Sequence, residues 1–397
     1  MLPTTTGPSA LRAAGGRSWL PLTRNVSLQY RCLSTSSAYR AAHIISFGET
    51  SSPELSQALD NYREKVILPT YLSQEQRKKI YNPRIKHILQ NDPITMEIDG
   101  VVHNFRYRSM VADLPSTRET LKEIIALLKT PADFRNIPPF LEGCVRARRK
   151  IEPVDYNRIL RLAAMNGQLS IIMDCVKAAD KTGFRLDNSQ IINELLTYTQ
   201  RPAIISGFDE AKTRAALKQV RLILNILESD ENHHPKPATA GAFPYYRDPQ
   251  VLGARLHMAA ARAVHHRGGK DEDGRVARYA DELVSLWPED AGLLDLQPDE
   301  AYRKKVGIAH YLLNRNTYLF MAAPLLNGLT LATQVVGPAL AMQLQNRADA
   351  VDAEIKAALA SPELKEDGRG VQMYNAIFNP QAVRAEGEQA ADAQEGA

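Results

Sequence analysis

Cysteine is scarce, with three in 397 residues. Cys32, Cys144 and Cys175 are too few and too far apart for a disulfide framework or a zinc site. Acidic residues are missing from the start of the chain: the first is Glu49. Before it stand Arg12, Arg17, Arg24, Arg31 and Arg40, no lysine, and many serines and threonines. Catalytic signatures are missing as well. There is no HExxH, no CxxC pair, no GxSxG and no GxGxxG after a strand. Gly268-Gly269-Lys270 lacks the earlier glycine and the following Ser or Thr of a phosphate loop. His233 and His234 are adjacent, so they do not share a helix face, and no Cys or carboxylate completes a ligand spacing. No catalytic, cofactor-binding or metal-ligating residue is assigned. A blank search of this kind points to a binding or scaffold protein and not to an enzyme.

An Arg-rich, Ser-rich, acid-free start has the composition of a mitochondrial targeting segment, whose positive helix face is drawn inward by the membrane potential. Arg31-Cys32-Leu33-Ser34-Thr35-Ser36-Ser37 resembles a processing site, with cleavage expected between Leu33 and Tyr39. The expected presequence is 1–39 and the expected compartment is the matrix, with association at the inner membrane as an added option. In that reducing compartment Cys144 and Cys175 are expected to be buried small apolar residues. The leader also explains the charge. The chain carries 49 basic and 45 acidic residues, and setting aside the five early arginines leaves 44 against 45. The pI of 8.8 is largely a property of the leader and says little about nucleic-acid binding by the rest.

What remains is patterned as helix. Residues 40–53 read as a linker. Leu55–Leu68 is an expected helix stopped by Pro69. Ser73 and Gln76 form a capping box ahead of a helix expected to run to Asn91. Then the period changes: Ile94, Met96 and Ile98 alternate with polar residues, as do Val101, His103, Phe105 and Tyr107. Asp99-Gly100 between them predicts one β-hairpin near 94–107, with His103 a packed neutral side chain. Ser116 and Glu119 suggest another capping box, Leu121, Ile124, Ile125 and Leu128 make a stripe, and Thr130-Pro131 closes that element. Pro138-Pro139 suits the first turn of a helix through Arg148.

Val154–Asp187 then reads as two amphipathic helices joined at Asn166-Gly167, with Lys181, Gly183 and Phe184 at the exit. This span of 34 residues resembles a pentatricopeptide repeat: Val154, Tyr156, Asn157 and Leu160 match the first helix and Val176 the core of the second. The resemblance implies an α-solenoid and binding of single-stranded RNA, one base per repeat, through positions that fall on Arg158 and Asp187. Degenerate repeats of this kind equally serve as protein-binding scaffolds. From the pattern alone, a lone helical hairpin cannot bury its apolar faces, so neighbours must stack on it. Phe140–Arg148, Ile191–Tyr198 and a long helix Asp209–Glu228 are the expected neighbours.

The fold class is therefore mainly α, an α-solenoid of stacked helical hairpins with one small β-hairpin. The expected divisions are an N-terminal helical region with the hairpin (54–130), helical repeats (131–230), a Pro-rich linker (231–250), a C-terminal helical region (251–378) and an acidic disordered tail (379–397). Val251–His265 and Arg275–Leu286 are expected helices of the C-terminal region. No charge occurs between Arg315 and Arg347. Pro324, Asn327, Gly337 and Pro338 interrupt that stretch, so it reads as two buried helices or as peripheral membrane contact through 318–344.

The candidate RNA-binding residues are Arg146, Arg148, Arg149, Lys150, Arg158 and Arg161, placed to touch phosphates from one face of the stack. Arg77, Lys78, Lys79, Arg84 and Lys86 form a second basic cluster; the alternative for both is a solvated helix face. The expected function is organellar gene expression, with mitochondrial RNA or the mitochondrial ribosome as partner. The alternative is an inner-membrane-associated assembly or scaffold factor with respiratory-complex subunits as partners.

Overall fold

The computed structural model describes residues 44–98, 100–233, 243–303 and 307–381; the expected presequence and its processing site, Asp99, His234 and most of the acidic tail lie outside them. Helix α1 (Pro53–Tyr62) starts where Ser52 accepts the N–H of Leu55. The expected run to Leu68 continues as one π-helical turn, Arg63–Ile67, and a 3-10 turn, Leu68–Tyr71, because Pro69 has no N–H for the ladder. The Ser73–Gln76 capping box opens α2 (Gln74–Ile80). That helix does not reach Asn91. Pro83 ends it, and α3 (Lys86–Asn91) is a separate short helix. Strands β1 (Ile94–Ile98) and β2 (Val101–Phe105) pair antiparallel with Ile94 opposite Phe105, and Gly100 supplies the positive φ of 77° that the turn needs. Phe105 buries against Leu68, Leu72 and Ile80 in a small core of its own.

Helix α4 (Thr117–Leu127) follows the Ser116 cap. Thr130-Pro131 does not merely close it: Thr130 caps the short α5 (Pro131–Phe134) in a box with Asp133. The buried Asp133 carboxylate also accepts from the N–H and hydroxyl of Ser51, each at 2.7 Å, and so ties the entering chain to α5. Burial alone would raise this carboxyl, but the bonds from Ser51, Thr130 and Lys129 hold it well below the usual carboxylate range. Helix α6 (Ile137–Arg146) carries Pro138-Pro139 in its first turn, as expected.

The anticipated helical hairpin is formed by α7 (Pro153–Met165) and α8 (Leu169–Lys177), turned by Gly167 at φ 71°. A further short turn, α9 (Ala179–Thr182), ends at Gly183 with φ 69°. Cys144 and Cys175 are buried, as anticipated. Helix α10 (Ser189–Ile205) is buried along nearly its whole length and serves as the hub. Helix α11 (Glu210–Ser229) buries the expected Leu217, Val220, Leu224 and Leu227. Each of these helices packs on the next: α7 on α10, α10 on α11, α11 on α12 (Pro249–His266), and α12 on α13 (Arg275–Leu286). One continuous apolar core runs from Ile45 to Met373.

The uncharged stretch becomes α14 (Arg315–Thr333) and the first turns of α15 (Pro338–Leu359), broken at Gly337-Pro338. Helix α14 packs against α12, α15 and α16 (Arg369–Phe378), and Tyr318–Leu326 is buried throughout. The apolar side chains that membrane contact through 318–344 would need are thus largely taken up by the core. No helix among the described residues is long and apolar enough to cross a membrane. Helices α14 and α16 also fold back onto α10, so these C-terminal helices pack against the α10 hub.

Buried polar side chains tie these layers together. His257 on α12 shares one ring nitrogen with Gln200 of α10 at 2.8 Å and the other with Asn327 of α14 at 3.0 Å. Burial pushes this imidazole down to about 3, so it is neutral, with Nδ1–H donating to Gln200 and Nε2 accepting from Asn327. Asp248 caps α12, accepting from the Gln250 N–H at 2.9 Å and from the Gln297 amide at 3.0 Å. Burial pushes its carboxyl up to about 7 against the opposing bond from Gln250. A raised folded value means that this group's stabilisation is complete below about pH 4 and is lost as the pH rises through about 7. Asp248→Asn keeps the cap acceptor without the charge. It should be more stable than the parent by about 1–2 kcal/mol at alkaline pH and show no such gain in acid. Thermal melts across this range check it; parallel pH profiles for the two proteins would refute it.

Candidate nucleic-acid interface

The basic residues of interest begin where α6 stops. The Arg149 N–H bonds to the Cys144 carbonyl at 2.8 Å and the Arg148 N–H to the Val145 carbonyl at 2.9 Å. This is a Schellman ending, and Arg148 occupies the left-handed position at φ 53° that usually belongs to glycine. A non-glycine residue there costs about 1 kcal/mol, and the Arg148 side chain is exposed.

The six candidate residues divide by environment. Arg146 is exposed; its Nε donates to Thr70 Oγ1 at 3.0 Å and its guanidinium lies 3.9 Å from the Tyr71 ring centroid. That stacking leaves the guanidinium edge for another partner. Arg148 is exposed and Arg149 half-buried. Lys150 pairs with Glu152 at 3.1 Å, both largely in solvent. Arg158 pairs with the buried Asp155 at 3.3 Å, and Asp187, the other position implied by the repeat resemblance, is exposed. Arg161 is placed differently. Its Nε and Nη2 reach the Glu194 carboxylate at 2.6 and 2.5 Å, and that carboxylate is fully buried. Its donors are therefore largely engaged in joining α7 to α10.

The structure also joins what the sequence separates. Arg77 of α2, from the second basic cluster, lines one depression together with Arg148 and Arg149. Tyr81, Met110 and Thr70 complete its wall, and no carboxylate is among the lining residues. The α2 and α6 ends meet there because the π and 3-10 turns between Arg63 and Tyr71 bring the chain back past α6. Nothing in the local pattern of either cluster marks this meeting. Burial pushes the Tyr81 phenol up, while Arg108, Arg149 and Arg77 pull the other way, which shows how closely these cations gather around it. Arg108 is neutralised by Glu64 at 2.9 Å. None of Arg77, Arg148 and Arg149 forms an ion pair with a carboxylate among the described residues.

No group of three or more His, Cys, Asp or Glu suited to a metal occurs among the described residues. The surface offers guanidinium groups, the Tyr81 phenol, the Thr70 hydroxyl and aliphatic side chains such as Met110 and Leu114. Such a set binds anions and stacks planar groups.

Two comparisons agree with each other. A sequence model of the family described as mitochondrial ribosomal protein mS27 matches residues 31–376. The small ribosomal subunit protein mS27 of Neurospora crassa is 40% identical over 369 residues, covering 88% of this chain and 92% of that protein.

Proposed function

The chain belongs to the mitochondrial ribosomal protein mS27 family, and from that premise we propose that it is a non-enzymatic constituent of the small subunit of the mitochondrial ribosome. It works in the matrix, in organellar translation. The carrying observation is the family match over residues 31–376, most of the chain, and the acid-free, Arg-bearing N-terminus agrees with the address.

In this reading α7 and α8 are a pentatricopeptide-like hairpin used for docking, and the stack of α6 to α11 is a rigid platform. Arg146, Arg148, Arg149, Lys150, Arg158 and Arg161 face RNA, with the first three best placed for phosphates and Arg161 serving mainly to fix α7 against α10. Contact through guanidinium groups and phosphates is indifferent to base sequence, which suits a protein built into one position of a large assembly.

The test is sedimentation of the tagged chain from mitochondrial lysate, combined with crosslinking in intact mitochondria. The chain should travel with the small ribosomal subunit, and RNA crosslinks should map to small-subunit ribosomal RNA. Migration as a free protein, or with a respiratory complex, would overturn the assignment.

A further inference from the structure

The depression between α2 and the end of α6 has features that a merely solvated basic face does not need. Three arginines from two distant parts of the chain line it, and no carboxylate among the described residues lines it with them. Its volume is about 230 Å³, more than an isolated phosphate group fills. One wall carries the Tyr81 ring and the Met110 thioether: Tyr81 is half-buried, and Met110 is 65% exposed. The Tyr81 phenol keeps its proton and can donate, and Arg146 stands at the rim through its bond to Thr70. Arg148 reaches the depression from a strained left-handed backbone.

We propose that this cleft seats one backbone phosphate of an RNA strand, held by Arg77, Arg148 and Arg149, with the adjoining ribose or base lying against Tyr81 and Met110. The inference rests on the ribosomal reading above and gives it a location. An acidic peptide would need a carboxylate and an apolar side chain from separate residues in the right register, whereas one nucleotide carries both features. A nucleotide supplies an anion and a flat face about one sugar apart.

The full chain is titrated with a short fluorescein-labelled single-stranded RNA of mixed sequence at several salt concentrations. Arg148→Gly should lower the slope of log affinity against log salt by about 0.7, and the triple variant Arg77→Ala, Arg148→Gly, Arg149→Ala by about 2, with at least about a tenfold loss of affinity at fixed salt. Arg148→Gly restores the preferred residue of the helix ending, so its melting temperature should be equal or higher, and a binding loss there is not a folding loss. Arg303→Ala removes one exposed charge elsewhere and should leave the triple variant's deficit unmatched. An unchanged slope in the triple variant, an equal loss in Arg303→Ala, or no RNA binding by the parent chain overturns the cleft. So does a crosslink from Arg148 to a protein instead of RNA. Sedimentation separates the two readings: a triple variant that still travels with the small subunit and keeps its slope sinks the cleft alone, whereas a parent chain absent from the subunit sinks the ribosomal assignment.

Discussion

Glu194→Ala is expected to destabilise the protein by about 3 kcal/mol. The Glu194 side chain has no exposed surface, and four donor atoms converge on its carboxylate. They are Nε and Nη2 of Arg161, Nη2 of Arg369 at 3.1 Å and the Gln190 amide at 3.0 Å. Arg369 also packs its guanidinium over the Phe320 ring, 4.6 Å from the centroid. One carboxylate on α10 thereby holds α7, α14 and α16 together. Removing it leaves two guanidinium groups facing each other across a low-dielectric site. Their side chains are 35% and 23% exposed, so water relieves part of the cost, which places the estimate at the lower end of the range for broken buried pairs.

The same carboxylate has a pH signature. Burial raises its pKa, but the bonds from Arg161 and Arg369 more than offset this, and the net shift is downward. A depressed folded value means that the stabilisation is present above the ordinary glutamate value near 4 and is lost as the pH falls below it. Urea denaturation of parent and Glu194→Ala should therefore converge on acidification and stand farthest apart near neutral pH. A difference under about 1 kcal/mol at pH 7 would show that the pair behaves as an exposed one.

Gly328→Val should cost about 3 kcal/mol and disturb the His257 bridge. A Cβ at residue 328 would lie 2.7 Å from the Cβ of His257 and 2.9 Å from its Cα. The nearest atoms are backbone or backbone-bound, so no rotamer change relieves the clash; α12 and α14 must separate. The neighbouring Asn327 would then lose its 3.0 Å approach to the His257 ring, leaving buried polar atoms unpaired. Gly328→Ala meets the same atoms but gains helix propensity, so it should fall between parent and valine. Denaturation midpoints for the two variants check this ordering. A valine variant as stable as the parent would mean that the helices do not meet at this glycine.

Much of the local structure was legible in the residues themselves. The Asp-Gly turn with alternating flanks placed the hairpin, Asn166-Gly167 placed the α7–α8 turn, and Arg275–Leu286 matched α13 residue for residue, because capping, turn chemistry and apolar period act within a few positions. Pro83 was equally visible in the sequence, and its missing N–H and fixed φ separate α2 from α3. The apolar, uncharged stretch after Arg315 was readable as two helices, but whether they met protein or lipid depended on α12 and α16 lying against them.

Apolar period, capping and turn residues determined the helical class by themselves, the acid-free start pointed to the mitochondrion, and no recognisable catalytic signature was present in the residues. Only the tertiary structure decided what each charge does. Arg161 and Arg148 belong to one basic run, yet one is spent on a buried carboxylate from α10 while the other lines a cleft with Arg77 that no carboxylate among the described residues shares. Local pattern governs backbone hydrogen bonding over a turn or two, whereas the partner of a long cation is set by whichever distant helix folds against it.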